Sequence, residues 1–183
     1  LIGAAVLGIL HAAAARHSAL FRSITFLPFM ISPVCLTFGA LLAYPQHAGS
    51  LHLLLALYVL MAYPFVSKDV LSAWDALPRH YAAAARTNGA NALQTAWHVL
   101  RPLLTPALRR GMTFAAATGI GEFAATLFLS RPEWLTLTTL IYQYLGTAGA
   151  ENHDRAMVLT AALMMLAASV FVLLDAAERE KAV

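Results

Sequence analysis

The sequence predicts an all-α membrane protein, a polytopic helical bundle with four full spans and one partial span at its N-terminal end. Three observations predict it. Apolar residues make up 60% of the 183 residues and charged residues only 11%, against roughly 45–50% and about 25% in an ordinary soluble domain. The mean hydropathy is +0.69, and apolar runs of the ~20 residues that a helix needs to cross a bilayer recur along the chain. The Lys and Arg residues gather in the segments between those runs, as anchors at a membrane face do. A formal charge of +3 and a pI near 9.3 are accounted for by such anchors, so nucleic acid is not expected as a partner. The single cysteine, Cys35, lies inside an apolar run, where it cannot form an intrachain disulfide and is expected to be a packed thiol.

The elements follow in order. Leu1–Ala15 is apolar but short, without the basic start of a signal peptide, and is read as the second half of a helix heading toward the cytoplasm. After Arg16 and Arg22, the stretch Ile24–Tyr44 is long enough to span, with kinks expected at Pro28 and Pro33. The short polar link Pro45–Ser50 requires Leu51–Val66 to return antiparallel, with Pro64 marking its end. From Ser67 to Arg110 no uninterrupted apolar run is long enough to span, and this segment is expected to be a cytoplasmic loop with its own helices. Gly111–Leu129 is a further span carrying Glu122. An external segment, Ser130–Asp154, precedes the final span Ala156–Leu174 and a charged tail, Asp175–Val183. Alternating the spans puts ten of the twelve Lys and Arg on one side, leaving only Arg131 and Arg155 on the other. By the positive-inside rule the richer side, with the C-terminus, is cytoplasmic. The whole of 1–183 is then one transmembrane domain.

The loop carries the strongest signal. Pro78 suits the first turn of a helix, which should cover Arg79–Asn88 and end at Gly89, a residue suited to a left-handed cap. Asn91 and Gln94 have capping-box spacing, so a second helix should run from about Ala92 toward Arg101 and stop at Pro102. The result is a helix–Gly–helix unit. Small side chains at Ala82–Ala85, edged by Arg79 and Arg86, either offer a surface that another protein's backbone can approach or simply make a good helix former.

These residues resemble a family. Ala83-Ala84-Ala85, three residues to Gly89, nine more to Val99 and then Leu100-Arg101-Pro102 look like the signature Glu-Ala-Ala, x3, Gly, x9, Ile-x-Leu-Pro of ABC importer permeases. Leu27-Pro28 through Ser32-Pro33, Gly39, Tyr63-Pro64-Phe65-Val66, Gly121-Glu122-Phe123 and Thr138–Gly146 extend the likeness to permeases of thiamine and ferric-iron importers. In those, two such halves are often fused, and this chain resembles most of a C-terminal half. Ala83 stands where the signature has Glu, and Arg101 where it has Leu.

The resemblance implies a type I importer permease bundle in the inner membrane that passes a small substrate, thiamine or ferric iron, by alternating access. It implies three partners besides membrane lipid: a dimer of ATP-binding cassette subunits, a second permease half or subunit, and an extracytoplasmic substrate-binding protein. The contact with the ATPase would be made by Pro78, Ala83, Ala84, Ala85, Arg86, Gly89, Val99 and Pro102. The chain itself is not expected to be an enzyme or to hold a cofactor. The two lysines, Lys68 and Lys181, stand in no Walker A context, so ATP would be hydrolysed by the partner.

Glu122 lies eleven residues past Gly111, about 16 Å along a helix and near mid-membrane. A carboxylate there either lines a path for a cation or is a hydrogen-bonded structural group at a helix interface. In the external segment, Thr136–Leu145 is expected to be a short helix along the surface, with Trp134, Tyr142 and Tyr144 at headgroup level; it would serve as an outer lid and docking face or only as an anchor. The seven histidines show no metal-ligand spacing, and no metal site is expected. A proton-coupled secondary transporter would also use a mid-membrane Glu122 but has no need of the helix–Gly–helix loop. An intramembrane hydrolase needs a nucleophile context that Ser32 and Ser169 lack.

Overall fold

A computed structural model describes residues 1–78 and 80–179, without the side chains of Phe29 and of 173–179. Arg79 and the end of the tail, 180–183, on which parts of the expected loop helix and charged tail fall, lie outside the described residues. Every regular element among the described residues is helical. Helix α1 (Ile2–His17) leads to α2 (Ala19–Ile24), α3 (Leu27–Met30) and α4 (Pro33–Ala43). The expected single span Ile24–Tyr44 is therefore broken rather than kinked. Pro33 disfavours a helical backbone at the residue before it, and Ile31 and Ser32 are extended, at ψ 129° and 133°.

Helix α5 (Leu51–Ala76) starts at Ser50, whose hydroxyl accepts the Leu53 N–H at 3.2 Å. It does not stop at Pro64. Pro64 is buried inside the helix, and the helix runs twelve residues further, which gives 26 residues or about 39 Å. The segment between membrane helices is correspondingly shorter than Ser67–Arg110. It contains α6 (His80–Thr87) and α7 (Ala92–Thr95), then a π-helical turn, Ala96–Leu100, that passes directly into α8 (Arg101–Ile120). Pro102 thus opens α8 instead of ending a helix. Its ring would crowd the carbonyl four residues back and its nitrogen donates no bond; the wider turn accommodates this, with the Arg101 N–H bonded five residues back to the Ala96 carbonyl.

The expected span Gly111–Leu129 is also divided, because α8 ends at Gly121 and α9 (Ala124–Leu129) follows a short break. Helix α10 (Leu137–Gly146) has Thr136 at its N-cap, one residue from the boundary expected, and α11 (Ala150–Arg179) starts before Ala156.

The core is centred on α5, with α1 on one side and α8 on the other. Val66 is fully buried between Gly8 of α1 and Gly111 of α8. A Cβ on Gly111 would lie 2.6 Å from Val66 Cα and 3.0 Å from the Phe65 carbonyl oxygen, so only glycine permits this approach. Ala12, Ala15, Val70 and Ala115 close the same cluster. A second cluster packs α9, through Ala125 and Leu129, against Leu54 and Leu57 of α5 and Leu36 and Ala40 of α4. Buried threonines satisfy their hydroxyls on their own helices: Thr37 donates to the Pro33 carbonyl and Thr113 to the Arg109 carbonyl.

Outside this core many large apolar side chains are exposed. Within Ala150–Val172 of helix α11, an 18-residue window has a mean hydropathy of 2.0 and only 6% of it is buried. A core helix of a soluble protein would be covered, whereas Met157, Val158, Met164, Met165 and Val172 are exposed. Lipid or a partner must cover them. Cys35 is likewise exposed on α4 and is not the packed thiol expected from its neighbours, because α4 packs on α9 and leaves its other face open.

Candidate functional site

Local cap chemistry builds the loop. Helix α6 ends in a Schellman arrangement: the Ala90 N–H bonds to the Ala85 carbonyl and the Gly89 N–H to the Arg86 carbonyl, each at 3.0 Å. This requires the left-handed backbone found at Gly89, φ +83°. The Ala84 carbonyl accepts from the Thr87 hydroxyl and the Asn88 side-chain amide, each at 2.8 Å. Helix α7 starts with a complete capping box, Gln94 N–H to Asn91 Oδ1 at 2.8 Å and Asn91 N–H to Gln94 Oε1 at 2.9 Å. Ala90 alone separates the two caps, so α6 and α7 are held at a fixed corner.

Of the sequence-predicted residues, Ala83, Ala84 and Arg86 are exposed on α6, while Ala85 is half-buried. Pro78 precedes the helix, its carbonyl accepting the Tyr81 N–H at 3.3 Å. Gly89 and Val99 line one shallow groove with Gln94 and His98. Pro102 stands apart, in the first turn of α8. The helix before Gly89 is two turns long, shorter than Arg79–Asn88. Leu93 (76% exposed) and Trp97 (57%) are large apolar side chains left uncovered on the same unit. Sequence reasoning passed over these two; apolar side chains on an otherwise polar, capped loop were the available signal. Arg101 lies over the Trp97 ring at 4.2 Å, on the exterior of the π turn.

Two of the basic segments, around Arg16–Arg22 and around the α5–α6 junction, meet at one end of the bundle. Arg22 pairs with Asp75 at 2.9 Å, and Arg16 lies over the Trp74 ring at 4.9 Å, next to the α6–α7 unit. At the other end Arg131 donates to the Ala48 carbonyl at 3.2 Å, which joins the Pro45–Ser50 link to the segment after α9.

From the corner, α7, the π turn and α8 form one helical run to Ile120. It ends at Glu122, which sits at the break rather than on a continuous helix. One carboxylate oxygen, Oε1, accepts the Ala124 N–H at 2.9 Å and the Ala125 N–H at 3.2 Å, and Oε2 accepts Ala125 at 3.0 Å. The carboxylate therefore satisfies the free donors at the start of α9. The Thr138 hydroxyl donates to the Glu122 carbonyl at 3.1 Å and ties α10 to the same point. Glu122 also borders a cavity of about 540 Å³ whose walls are mainly apolar, among them Ile31, Tyr58, Met61 and Phe123. Among the described residues no group of three or more His, Cys, Asp or Glu side chains converges as a metal site.

A helical bundle with large uncovered apolar faces and polar connections at its ends defines a membrane-embedded helical protein. Residues 4–176 match the family described as binding-protein-dependent transport system inner membrane component, and the chain belongs to that family. It is 32% identical over 123 residues to the sulfate transport system permease protein CysT of Salmonella typhimurium, covering 65% of this chain and 43% of that protein. It is 28% identical over 109 residues to the molybdenum transport system permease protein ModB of Haemophilus influenzae, covering 58% and 48%. To a putative 2-aminoethylphosphonate transport system permease protein, PhnV, of Salmonella typhimurium it is 25% identical over 146 residues, covering 77% and 55%. The chain thus spans about half the length of the curated relatives it matches.

Proposed function

We propose that this chain is the membrane-embedded permease part of an ATP-driven importer, and that its cargo is a small oxyanion delivered by an extracytoplasmic binding protein. The observation that carries the coupling part is the α6–Gly89–α7 corner, exposed on one side and continuous with α8 on the other. A separate ATPase subunit docking on α6 would move that corner. The fixed caps would pass the movement into α8, about 30 Å long, whose far end borders the cavity beside Glu122. In this reading the end carrying α6 and the C-terminus is cytoplasmic, and a second permease half covers part of the exposed apolar surface.

The cargo follows from the relatives. The resemblance to thiamine and ferric-iron importers favoured a cation; the matched permeases are named for sulfate, molybdenum and 2-aminoethylphosphonate. Sulfate and phosphonates are tetrahedral oxyanions, and the proposal follows them. Glu122 is then no attractor of cargo. Its carboxylate is committed to the start of α9, and we assign it the task of holding the break that shapes the cavity.

The test is uptake into proteoliposomes containing the complete importer and its binding protein. Labelled sulfate and molybdate should enter only with ATP available to the ATPase, and thiamine and ferric iron should not compete. Uptake driven by a proton gradient without ATP would overturn the importer reading in favour of a secondary transporter. ATP-driven uptake of thiamine or iron, with no oxyanion uptake, would overturn the cargo alone.

A further inference from the structure

A second cavity, of about 640 Å³, lies between the end of α1, the end of α5 and the α6–α7 unit. Its size falls within the ~300–1,000 Å³ of small-ligand pockets. Its wall carries Arg16 and His17 from α1 and Arg86 from α6, with Trp74 and Tyr81 between them, and among the described residues no Asp or Glu lines it. The carboxylate nearest in sequence to this wall, Asp75, is engaged by Arg22. Among the described residues the salt bridges are Arg22–Asp75, Lys68–Asp69 and Arg155–Glu151, so neither Arg16 nor Arg86 has an acidic partner. The Trp74 ring under Arg16 orients the guanidinium without neutralising it.

Two guanidinium groups lining one concavity repel one another less when an anion sits between them, the planar donor fork of arginine matches a phosphate or sulfate edge, and the His17 ring beside them can donate an N–H. We infer that this cavity binds a tetrahedral oxyanion, either the phosphate headgroup of an anionic lipid or a free anion. Occupied, it would tie α1 to the docking helix α6, because Arg16 comes from the one and Arg86 from the other. The inference concerns a site at the opposite end of α8 from the Glu122 cavity and stands whichever cargo the importer carries.

The experiment uses the assembled importer purified in detergent, with two readouts. Native mass spectrometry follows retained phosphatidylglycerol, with phosphatidylcholine as the uncharged-headgroup comparison. Thermal unfolding is measured with added sodium phosphate against sodium chloride at equal ionic strength. The double variant Arg16→Gln/His17→Gln should lower the responsible signal about tenfold or more, as expected when charge-assisted contacts are lost, and Arg16→Lys, which keeps the charge but not the donor fork, should retain part of it. Loss of the phosphatidylglycerol adduct identifies the lipid headgroup as the ligand; loss of the phosphate-specific stabilisation identifies a free anion. His17→Gln alone leaves Arg16 on Trp74 and should weaken the same signal severalfold, which keeps the test intact if the double variant fails to assemble. Lipid retention and phosphate response that are both unchanged in these variants, or absent from the wild type, overturn the proposal.

Discussion

Gly111→Ala should loosen the crossing of α5 and α8 although it adds one methyl group. The new Cβ would stand 2.6 Å from Val66 Cα and 3.0 Å from the Phe65 carbonyl oxygen, where ordinary contact begins at 3.4 Å. Both obstacles are backbone, so no side chain can turn away, and the helices must separate by about 0.8 Å at that point. A radial gap of ~0.5–1 Å forfeits about a quarter to a half of the dispersion well, and packing of this kind drives helix association in a bilayer. The loss falls on the buried cluster around Val66, Val70 and Ala115. Overpacking a close contact costs roughly 1–3 kcal/mol, or roughly 2–12 °C of melting temperature for a chain of this size. The assay is thermal unfolding of the purified complex in detergent. Gly119→Ala on the same helix is the control, since its Cβ would meet only Tyr58 Cδ1 at 3.9 Å, and alanine there should be neutral or stabilising by up to about 1 kcal/mol. Equal melting temperatures for Gly111→Ala and wild type would refute the close-approach argument.

Two further outcomes are expected. Gly89→Val forces a β-branched residue to φ +83°, straining the corner by about 1–3 kcal/mol; uptake should fall while the amount of assembled complex stays near normal, and unchanged uptake with unchanged substrate-stimulated ATPase activity would remove Gly89 from the coupling path. Glu122→Gln keeps the Oε1 acceptor for Ala124 and Ala125 and should preserve assembly and oxyanion uptake, whereas Glu122→Ala leaves the start of α9 uncapped and should cost about 0.5–2 kcal/mol; a normal amount of Glu122→Gln complex with strongly reduced uptake would show that the charge serves the path instead.

How much of this was legible in the sequence divides by range of interaction. The caps of the loop were readable because their chemistry lies within six residues: Gly89 adopts the left-handed backbone, and Asn91 and Gln94 form the box. The prolines were read less well, since a proline states only which local bond is missing. Pro33 breaks the chain, Pro64 is carried inside a long helix packed on both sides, and Pro102 is absorbed by a π turn. Glu122 was recognised as unusual from its apolar surroundings, but its placement at a break between α8 and α9 depends on how α9 packs against α4 and α5. The clamp on Val66 was hidden because Gly8 and Gly111 lie more than a hundred residues apart.

Cross-linking tests the coupling claim most directly. A cysteine at Ala84, exposed on α6, in a background where Cys35 is replaced by serine, should cross-link to the ATPase subunit of the assembled importer through a short bifunctional thiol reagent. A cysteine at Thr147, exposed just after α10, should not. Cross-linking from Thr147 and none from Ala84 would contradict the account, since the ATPase would then meet the opposite end of the bundle.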